Sequence, residues 1–191
     1  LMKHGVDYAR MRRVAHDGSP QLLVSGQADA MIGYSTNEPF LLDEQSVHYT
    51  SFSPRDRGID FYGDNLVTTQ TLVDRHPELV RAFREASLKG WRYALSHQAE
   101  LVELILDKYS KQKSRAALTF EALQTAPLIQ GDLVDLGYQS LQRWQAIADT
   151  FHQLGIIGRA DVPPGLMYDP DAQVAERRLQ QVVAGSMAAV A

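Results

Sequence analysis

Tyr34, Asn37 and Glu38 bring a ring, an amide and a carboxylate close together, inside the run Gly26-Gln27-Ala28-Asp29-Ala30-Met31-Ile32-Gly33-Tyr34-Ser35-Thr36-Asn37-Glu38-Pro39-Phe40. Tyr34 offers a surface for stacking, Asn37 both a donor and an acceptor, and Glu38 an acceptor with charge. Pro39 stiffens the exit from the cluster. Together these groups suit a small, flat, nitrogen-bearing ligand. The same residues also allow a purely structural account, in which Asn37 and Glu38 cap a turn and Tyr34 packs into a core. If the Glu38 carboxylate touched a ligand directly, Glu38→Gln would weaken binding by roughly 1.5–3 kcal/mol, the range for hydrogen bonds to charged groups.

A second group follows in Asp60-Phe61-Tyr62-Gly63-Asp64-Asn65-Leu66. A glycine inside a strand marks a bulge or a close approach by something else. Gly63 thus has either a structural or a ligand explanation. For Tyr62 and Asp64 the structural alternative is a packed aromatic and a turn-side acid.

Catalytic and metal chemistry finds no such grouping. His4, His16, His48, His76, His97 and His152 are scattered, and no H-E-x-x-H is present. His16-Asp17 sits on a turn, where a solvated pair is the ordinary arrangement. There is no G-x-S-x-G, no P-loop and no G-x-G-x-x-G. The sequence has no cysteine, which removes disulfides, thiolate metal sites and thiol nucleophiles together. The expectation is a protein with no catalytic residues, no metal and no cofactor, and not an enzyme. The formal net charge of −4 and the spread of Lys and Arg leave no basic footprint for nucleic acid.

The elements that must carry these residues can be read from the pattern. With 191 residues, 45% of them hydrophobic and 22% charged, the chain can bury a core. The segments 9–14 and 28–34 read as strands around a short helix at 21–25, introduced by turn chemistry at Asp17, Gly18, Ser19 and Pro20. The second has no polar alternation, as for a strand buried on both faces, and βαβ spacing implies parallel pairing. Further strands are expected over 44–52 and 60–69, separated by a turn-rich break at 53–58. Ligands in open α/β sheets bind beyond the carboxyl ends of strands, which is where Tyr34, Asn37 and Glu38 would stand. After Thr69 the pattern turns helical. Pro77 starts a helix whose apolar residues Leu79, Val80, Phe83, Trp91 and Leu95 recur at helical spacing. Helices over 99–109 and 114–126 follow, the second capped by Ser114. Another runs through Leu141, Trp144, Ile147, Ala148 and Phe151 to a stop at Gly155. Pro163, Pro164 and Gly165 break the chain before a last helix over 171–191. Its end carries no charge, yet it is far short of the ~20 apolar residues that span a bilayer. It reads either as a terminal core helix or as the start of a membrane helix.

The run G-Q-A-D-A…Y-S-T-N-E-P-F resembles the signature segment of ABC-transporter solute-binding proteins of the SsuA/ThiY kind, which include binders of thiamine-pyrimidine precursors. Asp60 to Leu66 resembles the family's return strand, His76-Pro77-Glu78-Leu79-Val80-Arg81-Ala82-Phe83 its long helix, and Arg143-Trp144 its late helix. The likeness covers roughly residues 5–169. It implies a type II periplasmic-binding-protein fold, with two α/β lobes and a helix-rich C-terminal half. In that frame 1–39 is part of the second, inserted lobe, and 40–69 holds the hinge and return strands; the resemblance thereby implies Tyr34, Asn37 and Glu38 near the hinge, with Tyr62, Gly63 and Asp64 on the return strand, as ligand-proximal candidates. Residues 70–170 are the helical remainder of the first lobe. The first lobe's N-terminal strands are then missing, consistent with Leu1 to His4 and Gly5 reading as the end of a helix, so the chain is expected to have continued before Leu1. A sheet short of partners invites homo-oligomerisation through its exposed edges. The resemblance also implies an extracytoplasmic location, with the membrane partner either a permease or the protein's own transmembrane segment. Two outputs fit: the sensor input domain of a membrane signalling protein, towards which N-E-P-F and the charge-free tail incline, or the soluble component of an uptake transporter. A fungal relative that makes the thiamine pyrimidine depends on a cysteine-rich motif, which this chain lacks.

Overall fold

Helix-start chemistry decides most of what forms. The structure, a computed structural model, describes residues 7–15, 18–131 and 133–171. Its helices are α1 (Gln21–Val24), α2 (Glu38–Glu44), α3 (Gln70–Arg75), α4 (Pro77–Ser96), α5 (Gln98–Leu104), α6 (Arg115–Ile129) and α7 (Leu141–Gln153). Short 3₁₀ turns lie at Tyr8–Arg10 and Pro54–Arg57, and α5 runs directly into a π-helical turn at Ile105–Tyr109. Three starts are closed by side chains that accept a backbone N–H of the first turn. Thr69 takes that of Leu72 at the head of α3, Ser114 that of Ala117 at α6, and Ser140 that of Arg143 at α7. At the other ends, Gln130 closes α6 in the left-handed region with φ 53°, and Gly155 follows α7 with φ 69°.

The expected helices at 21–25, from Pro77, over 99–109, over 114–126 and ending at Gly155 are all present, with small shifts of boundary. The expected strands are not. Among the described residues no strand ladder forms over 9–14, 28–34, 44–52 or 60–69. A helix that was not expected, α2, starts at Glu38 with Pro39 in its first turn and overlaps the 44–52 segment only at Glu44. The physical reason is that a strand is half of an interaction. Its N–H and C=O groups need a paired neighbour, and an apolar run supplies a buried face without supplying that neighbour. The expected helix over 171–191 lies outside the described residues apart from its first position.

The chain divides into two units. One draws on the chain up to Ser51 and on Arg92–Val134, the other on Phe52–Trp91 and the chain from Asp135 onward. In the first, α5 packs along α6, and Gln98 Nε2 donates to the Ala122 carbonyl at 3.1 Å. Val102 and Leu118 are buried there, as is Leu42 of α2. Phe40 of α2 meets Phe120 of α6 with ring centroids 5.6 Å apart and planes tilted by 44°. Ion pairs at the rim, Lys113–Glu121 at 2.7 Å and Arg115–Glu103, are exposed and contribute little. In the second unit, Val73 and Pro77 are buried, while Gly137, at φ 78°, lies so close to the Leu88 side chain that a Cβ would come within 2.9 Å of it. Among the described residues no helix is long and apolar enough to cross a membrane.

The apolar stripe expected on α4 is only partly covered, since Leu79, Phe83 and Trp91 remain exposed. Stability in the first unit falls on few side chains, chiefly Leu42, Val102 and Leu118. Leu118→Ala is expected to cost about 2–5 kcal/mol, the range for deleting a buried leucine. Leu128→Ala, on the same helix but about half exposed, should cost under about 1 kcal/mol. Urea denaturation of the two variants checks the contrast.

Candidate functional site

Each group of candidate residues lies within one of the two units. Tyr34, Asn37 and Glu38 belong to the first, and Tyr62, Gly63 and Asp64 to the second.

In the first group the chain turns into α2. The Tyr34 carbonyl accepts the N–H groups of Asn37 at 2.9 Å and Glu38 at 3.3 Å. The Glu38 side chain reaches back, so that Oε2 accepts the Tyr34 N–H at 2.6 Å and Oε1 accepts from Asn37 Nδ2 at 3.2 Å. The Tyr34 peptide groups and the first residue of α2 thus bond to each other in both directions. The arrangement leaves Glu38 only 8% exposed, the one charged side chain buried among the described residues. Two accepted hydrogen bonds replace part of the water it loses, and its charge stands at the favourable end of the helix dipole. Gly33 lies against it: a Cβ there would come within 3.0 Å of Glu38 Cγ and Oε2. Tyr34 itself is 76% exposed. The turn thus holds its backbone and leaves its ring open.

The second group is built differently. The Tyr62 hydroxyl accepts the Ser140 N–H at 2.6 Å, at the start of α7. Its ring stands 5.1 Å from the Trp144 ring, and the Arg143 guanidinium lies 4.8 Å from its centroid. Arg143 also pairs with Asp60 at 2.8 Å, and Arg55 reaches the other Asp60 oxygen at 3.0 Å. Gln139 Nε2 donates to Asn65 Oδ1 at 3.0 Å while its own Oε1 accepts from Trp144 Nε1 at 3.2 Å. Phe61 stacks on Phe151 at 5.7 Å. The segment 60–65 is therefore laid along α7. Tyr62 is a packed, half-buried aromatic, whereas Gly63 and Asp64 are exposed. A Cβ on Gly63 would meet nothing within 4 Å, so no close approach by the chain itself calls for glycine there.

Asp60, Arg143 and Gly33 escaped the sequence reading as individual residues. Asp60 and Arg143 were visible only as members of runs, since a partner some eighty positions away leaves no local pattern. Gly33 carried a weak signal, a glycine directly before the aromatic of the turn. Among the described residues no group of three or more His, Asp or Glu side chains could hold a metal ion.

Two outcomes follow for the second group. Gly63→Ala should leave stability within about 0.5 kcal/mol of the parent, because the added methyl meets open space. Arg143→Leu should cost about 1 kcal/mol, removing a partly exposed ion pair and a cation over an aromatic ring together. Both are read by denaturation followed through tryptophan fluorescence.

Comparison with known proteins accords with the sequence resemblance. The formylaminopyrimidine-binding protein of Halalkalibacterium halodurans is 30% identical over 86 residues, covering 44% of this chain and 26% of that protein. The riboflavin-binding protein RibY of Chloroflexus aurantiacus is 29% identical over 131 residues, covering 66% of this chain and 37% of that protein. The aligned part thus amounts to between about a quarter and two fifths of either relative's length. No solved structure matches. Both relatives are named as binding proteins. Residues 1–101, more than half of the chain and including the whole turn at Tyr34 and the segment at Tyr62, match the family described as NMT1/THI5 like, and the chain belongs to that family of solute-binding proteins.

Proposed function

We propose that the chain binds a small, flat heterocycle, in the class of a pyrimidine-like thiamine precursor, without converting it. The observation that carries this reading is the Tyr34 ring, 76% exposed on a turn whose backbone is fixed by a buried carboxylate. Large aromatic rings are held out to water at a loss of hydrophobic stabilisation, which is recovered when a second ring covers them. Asn37, beside it and half-buried, supplies polar recognition, and Tyr62, Gly63 and Asp64 are the further ligand-proximal residues of the same reading. Support also comes from the ligands in the relatives' names, since a formylaminopyrimidine and riboflavin are both planar nitrogen heterocycles. The absence of a catalytic motif in the sequence agrees with binding alone.

The same proposal places the protein outside the cytoplasm, with two α/β lobes in the complete molecule, as the sensor input domain of a membrane signalling protein. The run N-E-P-F and the charge-free end of the sequence favour the sensor over the soluble component of an uptake transporter. The reading frame beyond Ala191 separates the two: a membrane helix and signalling domain mark the sensor.

Calorimetric titration with riboflavin and with formylaminopyrimidine tests the ligand class. One of them should bind, and Tyr34→Ala should weaken that binding by about 1–3 kcal/mol, the usual loss when a base loses an aromatic platform. Failure of both to bind the parent chain, or equal affinity in Tyr34→Ala, rejects it.

A further inference from the structure

The Glu38 carboxylate is engaged by its own turn. Oε2 accepts the Tyr34 N–H at 2.6 Å, a short charge-assisted bond, and Oε1 accepts the Asn37 amide at 3.2 Å. The side chain is buried, and Gly33 leaves it only the space that it fills, with a Cβ placed 3.0 Å from Cγ and Oε2 and 3.1 Å from Cδ. A Cβ at that distance requires the carboxylate to give by a few tenths of an ångström, and a shift that draws Oε2 away from the Tyr34 N–H weakens their bond. From the other side, the Tyr34 carbonyl is fixed by the N–H groups of Asn37 and Glu38.

We propose that Gly33 and Glu38 form a lock that sets the backbone of Tyr34 and hence the Cα–Cβ direction from which its exposed ring projects, so that Glu38 governs ligand affinity as a positioning residue through the Tyr34 amide and not by touching the ligand. The proposal rests on the reading of Tyr34 as the ligand-stacking residue. It makes a distinction that ligand contact would not. Glutamine keeps a carbonyl oxygen for the Tyr34 N–H, and its Nε2 can donate to Asn37 Oδ1 after rotation of that amide. Alanine keeps neither bond. A carboxylate that donated its charge to a ligand would instead lose as much on going to glutamine as to alanine.

The experiment uses the full chain, with the tighter-binding of the two probes, riboflavin or formylaminopyrimidine, and with hydrogen exchange at the Tyr34 amide as a ligand-free readout. Glu38→Gln is expected to bind within about threefold of the parent and to keep the Tyr34 amide protected, since a neutral acceptor retains most of a hydrogen bond. Glu38→Ala and Gly33→Ala are each expected to bind roughly tenfold more weakly and to release the amide. Glu38→Gln binding as weakly as Glu38→Ala while the Tyr34 amide stays protected would overturn the proposal in favour of ligand contact. So would unchanged affinity in Gly33→Ala. Should Glu38→Ala fail to fold, Gly33→Ala and Glu38→Gln carry the comparison. If the parent chain binds neither probe, the ligand reading fails and the amide alone decides the lock. Protection kept in Glu38→Gln and lost in Gly33→Ala upholds it, and equal protection in both refutes it.

Discussion

A carboxylate taken out of water must find hydrogen bonds to replace its hydration, and that requirement at Glu38 organises the first unit from its turn inward. Meeting it bends the chain at Tyr34, which starts α2 at Glu38 and fixes which way the helix points. The next positions then fall into place by helical spacing. Leu42, four residues after Glu38, is buried with it, and Phe40 reaches Phe120 on α6. Through α6 the same arrangement extends to Leu118 and to Val102 on α5. A polar group thus sets the geometry, while the apolar contacts it brings about supply most of the stabilisation.

The second unit is organised around α7 by groups of more modest strength. Arg143 is placed by the Ser140 cap to meet both Asp60 and the Tyr62 ring, and Gln139 bridges Asn65 to Trp144. Each of these interactions is partly exposed and individually contributes little. Their effect is directional: several weak contacts along one helix define a single alignment for the segment 60–65. The difference from the turn at Tyr34 lies in what is left over. Tyr62 has its hydroxyl and ring occupied by α7, whereas the Tyr34 ring has its surroundings open.

How much was legible in the sequence follows from the range of each interaction. Helix starts and stops are local, so Ser114, Pro77 and Gly155 announced α6, α4 and the end of α7 to within a few residues. Strand pairing is not local. The apolar run 28–34 satisfied every requirement for a buried strand except a partner, and among the described residues it forms no ladder. The helix α2 was missed although its signal was present, since Asn37 followed by Pro39 is ordinary helix-start chemistry. Reading those residues as the exit from a strand hid it. The candidate cluster at Tyr34, Asn37 and Glu38 was legible as a cluster, because its hydrogen bonds span four residues at most. That Asp60 and Tyr62 would share Arg143 was not, since that partner is remote in the chain.

The division of labour inside the Tyr34 turn has an energetic consequence for recognition. Fixing a residue's backbone costs about 1–2 kcal/mol in conformational entropy, and an interface that has to impose this order on arrival binds more weakly by that amount. Here the order is imposed by folding, through a buried acceptor and a carbonyl that takes two N–H groups. What remains free is the side chain, and a tyrosine has only two rotatable bonds to restrain, so its ring presents a large surface at small entropic loss. A longer or more flexible side chain on the same turn would forfeit that advantage, and the same ring on an unfixed loop would forfeit the other half. The value of the site therefore depends on the pairing of a buried charge with an exposed aromatic four residues before it.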